Sequence, residues 1–313
     1  MKPRMAGGVS VQCPAKVNLF LRILAREDSG YHQIETLFQA IALFDRLEAY
    51  PARHGIELEV RGSDAVPGLG DLTADLDDPD SNTVVRAARA FFDATGIAPA
   101  VFLVLTKAIP ARTGLGGGSS DAAGALAALN MLHGMPLHGA DLMRIGGRIG
   151  ADVPFFSAGM PTALAWGRGD RLCGVQRPPA APVVLAIPHT RISTAAAYRE
   201  LSDMLVLPAP PARLPGLASR DWRSLADLQW NDFERASFER APELAEVRGA
   251  LEDGGALLAR MTGSGSALFG VFEAGEEDRA RRAAEAADSM AGVRAALVAS
   301  TLTKMPGVEP RHP

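Results

Sequence analysis

The stretch GLGGGSS, Gly114 to Ser120, offers backbone amides and hydroxyls with almost no side chain to obstruct them. It lies between VFLVLTK (101–107), short and apolar as a buried strand is, and SSDAAGALAALNML (119–132), an Ala- and Leu-rich run of high helix propensity. The first N–H groups of a helix have no internal partner and carry the positive end of its dipole. Glycines let such amides turn toward an anion and let a phosphate approach the chain closely. Ser119 and Ser120 add hydroxyl donors at the helix start, so the stretch suits a polyphosphate. A Walker A loop is excluded because Ser119, not lysine, follows Gly118. A dinucleotide fingerprint is excluded because the glycine it requires at 119 is serine. The competing reading is a tight turn with a serine cap, and it accounts only for the cap.

Three other stretches carry residue types suited to chemistry. In PAKVNLFL (14–21), Lys16 and Asn18 alternate with Val17 and Leu19, so both can point from one strand face while the other is buried. In GADVPFF (150–156), Asp152 stands in apolar text, where a carboxylate is unusual without a partner. RMTGSGSALFG (260–270) is a second loop of small residues between strands.

These residues need elements to hold them. SNTVVRAARAFFDATG (81–96) sets Val84, Val85, Ala88, Phe91 and Phe92 on one helical face, with Asn82 as N-cap and Gly96 as stop. ADLMRIGGRIG (140–150) repeats helical spacing at Leu142, Ile145 and Ile149 and ends at Gly150. TALAW, RLCGVQ and PVVLAI, between residues 162 and 187, read as strands. LPAPPARLP (207–215) has too many prolines for a helix or a central strand and reads as a surface loop. PELAEVRGALEDGG, ALFGVF, EEDRARRAAEAADSM and AALVAS then run helix, strand, helix, strand, which suggests a second α+β layer. The tail KMPGVEPRHP (304–313) reads as frayed. DLTADLDDPD (71–80) lacks the glycine and distal glutamate of an EF-hand loop and reads as a solvated surface loop.

Length of 313 residues admits two domains, and 47% hydrophobic with 22% charged residues is an ordinary globular composition. A net charge of −4 argues against a dedicated nucleic-acid surface. Two cysteines, Cys13 and Cys173, make neither a disulfide framework nor metal-ligand spacing. MKPRMAGGVSVQC shows no secretory signal, and no apolar run reaches the ~20 residues of a membrane span. The expectation is a cytoplasmic protein acting on a small molecule, without nucleic-acid or membrane partners, as monomer or homodimer.

Together the lysine strand, the glycine-serine loop and the late glycine loop resemble the three motifs of the GHMP kinase superfamily. GYH (30–32) and GADVPFF in their places narrow the resemblance to the branch acting on a cytidine diphosphate-linked methylerythritol. It covers most of residues 10–303, weakly from about 200 to 225. It implies an α+β, two-domain GHMP kinase fold with the active site in the cleft between the domains. The N-terminal, ATP-binding domain (1–160) is expected to be ribosomal protein S5 domain 2-like and the C-terminal domain (161–313) ferredoxin-like.

The implied reaction is ATP-dependent phosphorylation of the 2-hydroxyl of 4-(cytidine 5′-diphospho)-2-C-methyl-D-erythritol, giving the 2-phosphate and ADP, in the non-mevalonate route to isoprenoid precursors. The resemblance makes Asp152 the acceptor of the hydroxyl proton and Lys16 its neighbour, which keeps the aspartate charged and weakly basic. It assigns the ATP phosphates to Pro110, Ala111, Arg112, Thr113, Gly114, Leu115, Gly116, Gly117, Gly118, Ser119 and Ser120. Lys107 would meet a phosphate oxygen, and Asn82 lies where the family contacts adenine, or is simply a cap. Mg²⁺ is expected with ATP, within reach of Ser119 or Ser120; no carboxylate ligand for it is nominated. At the cytidine end Tyr31 offers a ring face and His32 ring nitrogens, with Tyr198 as the second aromatic of a sandwich and Thr194 nearby. Asn18, Gly263 and Ser264 are candidate ligands of the substrate diphosphate. The chain departs from the family at Arg112-Thr113, where relatives usually carry smaller residues, and at Ser29, where aspartate is more usual. Within the superfamily homoserine, mevalonate or a sugar are alternative acceptors, but Tyr31 and His32 have no use in a pocket without a base. A catalytically dead nucleotide-binding module is disfavoured by the presence of both Lys16 and Asp152.

Overall fold

The structure, a computed structural model, describes residues 7–63, 66, 82–176, 178–203, 221–228 and 230–311. β1 (Gly8–Arg26) and β2 (His32–Pro51) are the long apolar runs at the N-terminus, and β3 (Gly55–Gly62) follows them. α1 (Thr83–Thr95) begins at Asn82, whose side-chain oxygen accepts from the Val84 N–H at 2.9 Å, and stops at Gly96. β4 (Ala100–Lys107) leads into the glycine loop and α2 (Gly117–Leu132), and α3 (Gly139–Ile149) stops at Gly150. A single turn, α4 (Val153–Ser157), is followed by β5 (Thr162–Gly167), β6 (Arg171–Gly174) and β7 (Pro182–Pro188). Then come α5 (Thr194–Asp203), α6 (Trp222–Ala226), β8 (Trp230–Asn231), α7 (Glu234–Arg240) and α8 (Pro242–Asp253). β9 (Leu258–Met261), β10 (Leu268–Val271), α9 (Glu277–Asp288), β11 (Val293–Ser300) and β12 (Val308–Arg311) complete the order. The stretches 71–80 and 207–215, read above as surface loops, lie outside the described residues.

The first sheet runs β12-β1-β2-β4-β3, with β5 and β6 continuing from the near end of β2 and β8 lying parallel to β1. Strands that follow residue 160 therefore return to it: β5 and β6 directly, β8 and β12 much later. The second sheet is antiparallel in the order β11-β7-β10-β9. Strand, helix, two strands, helix, strand, with the first and last strands adjacent, is the ferredoxin-like arrangement.

Three apolar cores stack these layers. α1 to α4 pack on one face of the first sheet through Phe91, Leu126, Leu129 and Phe155. The other face meets the second sheet through Val17, Leu19, Leu185 and Phe269. α5, α8 and α9 cover the far side of the second sheet around Leu201, Leu251 and Ala284.

The tail, as far as Arg311, is not frayed. Residues 308–311 pair antiparallel with Gly8–Val11, and Met305 is buried in the first core. Arg311 bridges Glu48 and lies 5.9 Å from the Tyr50 ring, so this short polar strand is held by an edge and a cation rather than by apolar periodicity.

Candidate active site

The site begins at the middle of β1. Pairing with β2 shifts register between Pro14 and Ala15 and again between Asn18 and Phe20. Proline has no N–H for a ladder and sits well at such a bulge, which also re-aims side chains. Val9, Val11 and Cys13 enter the first core, whereas Ala15, Val17 and Leu19 enter the second, leaving Lys16 and Asn18 to line the cleft. One edge of this stretch lies on β2. On the other edge, β12 pairs only as far as Val11 and β8 only from Phe20. The intervening N–H groups are taken by the two glycine loops. Lys16 N–H donates to the Leu115 carbonyl at 2.9 Å, and Asn18 N–H to Thr262 Oγ1 at 3.2 Å.

The loops also close on each other. Thr262 Oγ1 donates to the Gly114 carbonyl at 3.2 Å, and Ala267 N–H to the Thr113 carbonyl at 3.2 Å. Gly114, at φ 82°, passes so near the Thr262 carbonyl that any Cβ there would collide with it. Gly116, at φ 75°, precedes α2, and no side chain caps that helix. The serine-cap reading is thereby excluded, and first-turn amides of α2 are left for a ligand. The two serines part company. Ser119 lines the cavity, whereas Ser120 is 1% exposed and its hydroxyl is buried without a hydrogen-bond partner. The helical turn carries Ser120 to the packed side of α2, which corrects its assignment as a hydroxyl presented to phosphate. Gly117 has a packing reason of its own, since a Cβ would lie 3.0 Å from Ile109 Cγ2 and 3.3 Å from Lys107 Nζ.

Beneath the loop is an ion triad. Lys107 is 2% exposed; its ammonium contacts Asp45 and donates to Asp121 Oδ2 at 2.7 Å. Asp45 Oδ1 accepts from the Ala108 and Ile109 N–H groups at 2.6 and 2.8 Å, fixing the start of the loop. Burial works against the Lys107 charge, but the two carboxylates outweigh it and hold its pKa above that of an ordinary lysine. Burial pushes the Asp121 carboxyl up to about 8 against the pull of Lys107, with the Asp45 charge adding to the rise. Lys107 does line the cavity, with Asp121 beside it there, but its ammonium is already held by Asp121 and the wholly buried Asp45.

The second lysine is placed differently. Lys16 Nζ donates to Asn18 Oδ1 at 2.7 Å, lies 3.6 Å from Asp152 Oδ2 and stands 5.3 Å from the Phe38 ring centre. Burial lowers its pKa, and Asp152 only partly restores it. Asp152 sits at the start of α4 yet makes no capping hydrogen bond, and its side chain is 28% exposed. Asn18 Nδ2 donates to Thr36 Oγ1 at 2.8 Å, which fixes the amide that orients Lys16.

At the far end, His32 stacks on Tyr198 with ring centres 4.6 Å apart, and Phe233 meets Tyr198 edge-on at 4.9 Å. Burial, and then the Asp152 charge, push the Tyr198 hydroxyl up to about 12. Burial and then Arg26 lower the His32 pKa. Tyr31 is 59% exposed and faces Arg168, whose guanidinium lies 4.1 Å from the ring centre and also pairs with Glu27. Tyr31 and Tyr198, expected on either side of a base, both line the same cavity. Phe233 and His32 hold Tyr198 inward, while Tyr31 stays at the mouth. Thr194 Oγ1 and Ser264 Oγ are 2.9 Å apart.

Every residue expected at the site except Ser120 lines one cavity of about 1080 Å³. Asn82 lines it too while serving as the cap of α1. Sequence reasoning missed its cationic lining, Arg26, Arg86, Arg148, Arg168 and Arg199, and missed Asp45, Asp121, Thr262 and Phe233. The arginines are scattered along the chain and only the fold collects them. Among the described residues no group of three or more His, Cys, Asp or Glu is placed to hold a metal ion. The donor set fits Mg²⁺ carried mainly on nucleotide phosphates, as that ion is commonly bound, rather than in a protein cage.

This is the architecture of a GHMP kinase. The family described as GHMP kinases N terminal domain matches residues 82–160, and GHMP kinases C terminal matches residues 214–290. A homoserine kinase structure from Cytophaga hutchinsonii shares the fold at a TM-score of 0.70 and 18% identity, over 99% of both chains. A crystal structure of 4-(cytidine 5′-diphospho)-2C-methyl-D-erythritol kinase aligns at a TM-score of 0.75 with 34% identity, over 93% of this chain and 98% of the other. A 4-diphosphocytidyl-2-C-methyl-D-erythritol kinase of Syntrophotalea carbinolica is 39% identical over 92% of this chain and 98% of its own length. Its counterpart in Solibacter usitatus is 40% identical over 82% of this chain and 79% of its own. The chain belongs to the family of 4-diphosphocytidyl-2-C-methyl-D-erythritol kinases.

Proposed function

We propose that the protein transfers the γ-phosphoryl group of ATP to the 2-hydroxyl of 4-(cytidine 5′-diphospho)-2-C-methyl-D-erythritol, giving the 2-phosphate and ADP. The observation that carries this reading is that Lys16 and Asp152 share one cavity with the uncapped α2 terminus and with the His32–Tyr198 pair. The family relationship supports the acceptor.

The first-turn amides of α2 take the triphosphate. Asp152 Oδ accepts the proton of the acceptor hydroxyl as its oxygen attacks the γ-phosphorus and the bond to the β-phosphate bridging oxygen breaks. A weak base suffices, because a loose phosphoryl-transfer transition state asks little of the nucleophile early. Lys16 stabilises charge on the transferring group, and Asn18, hydrogen-bonded to it, holds the ammonium in place. Ser119, with the phosphates, would hold Mg²⁺, whose chemistry is to neutralise phosphate charge. Tyr31, His32 and Tyr198 receive the cytosine, and Gly263, Ser264 and Thr194 the diphosphate end. The reading places the enzyme in the cytoplasm, in the non-mevalonate route to isoprenoid precursors; no described helix is long and apolar enough to cross a membrane.

A coupled ADP assay tests the reading. ADP release is expected with the cytidyl acceptor, in dependence on Mg²⁺, and not with homoserine or mevalonate. Turnover of either of those in preference to the cytidyl acceptor would reject the assignment.

A further inference from the structure

Behind the second glycine loop lies a buried amide with no place in the mechanism above. Asn231, in β8, is 7% exposed and is not among the residues lining the cavity. Its Nδ2 donates to the carbonyls of Met261 at 2.7 Å and Gly263 at 2.9 Å, one on each side of Thr262. Its Oδ1 accepts from the Phe233 N–H at 3.0 Å. A trans peptide points its C=O and N–H in opposite directions, so pinning a carbonyl also aims the next residue's amide. For the Met261 carbonyl that amide is Thr262 N–H, which donates across the loop to the Ala267 carbonyl at 2.9 Å. For the Gly263 carbonyl it is Ser264 N–H, which is thereby turned away from Asn231, and Ser264 lines the cavity.

The loop needs such a lock. Gly263, at φ 58°, has no side chain to resist rotation of the adjoining peptide. Asn231 is anchored independently of the loop: β8 pairs with β1 at Leu21, and Asp232 accepts the Ile23 N–H at 2.5 Å. Phe233, whose N–H Asn231 accepts, is the ring that meets Tyr198 edge-on. One short segment thus fixes a loop amide and the inner wall of the aromatic pair.

We infer that Asn231 is a positioning residue for the acceptor, locking the Gly263–Ser264 peptide so that the Ser264 N–H faces the acceptor's diphosphate. The inference rests on the acceptor proposed above. Asn231→Asp keeps the acceptor for Phe233 and removes both donated hydrogen bonds. Calorimetric titration with CDP and with cytidine reads the lock without turnover. Wild type is expected to bind CDP more tightly than cytidine. The variant is expected to keep its cytidine affinity and lose roughly ten- to a hundredfold of the CDP preference, the worth of one hydrogen bond to a charged group. In steady-state assays the KM for the acceptor rises by a similar factor while the KM for ATP stays put. An unchanged CDP-to-cytidine ratio, no CDP preference in wild type, or a joint rise of both KM values would overturn the inference. If Asn231→Asp does not fold, Asn231→Gln, which displaces the same amide by one methylene, takes its place in the same titration, and the same results support or overturn the lock. A wild-type enzyme inert toward the cytidyl acceptor would instead overturn the proposed reaction, which the titration does not address.

Discussion

Lys16 and Lys107 are both strand lysines almost wholly removed from water, and their surroundings treat them in opposite ways. Lys107 is clasped between Asp45 and Asp121, and its pKa is raised. Lys16 has one carboxylate at 3.6 Å, itself partly exposed, and its pKa is lowered. The first arrangement uses the charge to hold the start of the glycine loop, through Asp45, to Asp121 in the second turn of α2. The second leaves an ammonium under-satisfied beside open space, which is costly for folding and useful to an incoming anion. Burial alone does not set the direction of a lysine's pKa shift; the number and distance of its carboxylates do.

The comparison breaks most visibly at Asp152. Asp152→Asn is expected to lower kcat by about a hundred- to ten-thousandfold, the range of a lost general base, with the KM for ATP nearly unchanged. A kcat equal to wild type would end its assignment. Next, Lys107→Met is expected to cost about 3–5 kcal/mol of stability in urea unfolding, because the Asp45 carboxylate is left buried without its cation, beside the protonated Asp121. Lys16→Met is expected to do the reverse: it loses turnover while its Tm stays level or rises. If both variants lost stability equally, the distinction between the two lysines would be void.

pH sharpens the contrast, acting on stability at one lysine and on rate at the other. The folded pKa of Asp121, about 8, stands above its ordinary 3.8, so the folded state keeps a proton that the unfolded chain releases. Its contribution to stability is full below about 3.8 and lost as pH rises to about 8. Measured against Asp121→Asn, whose side chain cannot ionise, the Tm of wild type should therefore fall over that window. A pH-independent difference would contradict the burial of the proton. At Lys16, where charge is needed and burial lowers the pKa, the alkaline limb of kcat/KM should fall below the range of an ordinary lysine, and Lys16→Arg should move it upward. The smallest effect belongs to Tyr198→Leu, which removes one ring of the stack. The KM for the acceptor should rise about two- to tenfold, the worth of an aromatic pair, with kcat little changed.

The half of the site proposed to hold the nucleotide is legible in the sequence because it is local. Strand, glycine loop and helix follow one another between residues 100 and 132, and periodicity with helix-end physics suffices to read them. Asn82 and Gly96 likewise mark the ends of α1 by residue type alone. The half proposed for the acceptor is assembled from β1, the turn before β2, α5 and the loop after β9, with Asn231 behind it, and no sequence spacing relates these pieces. The Lys107 triad is hidden for the same reason, since Asp45 reaches it from β2. Ser120 misleads because adjacent residues on a helix face different ways, and only packing decides which of two serines is covered. The tail fails the test of apolar pattern because its pairing is set by an open backbone edge.

That last pairing has a consequence for how the chain is made. The outer edge of Gly8–Val11 is sealed by residues 308–311, so β1 meets this partner only after the whole intervening chain has been translated. Until then the nascent sheet carries an unprotected margin, the kind of surface that recruits strangers. Any shortening that removes β12 would make that interim condition permanent.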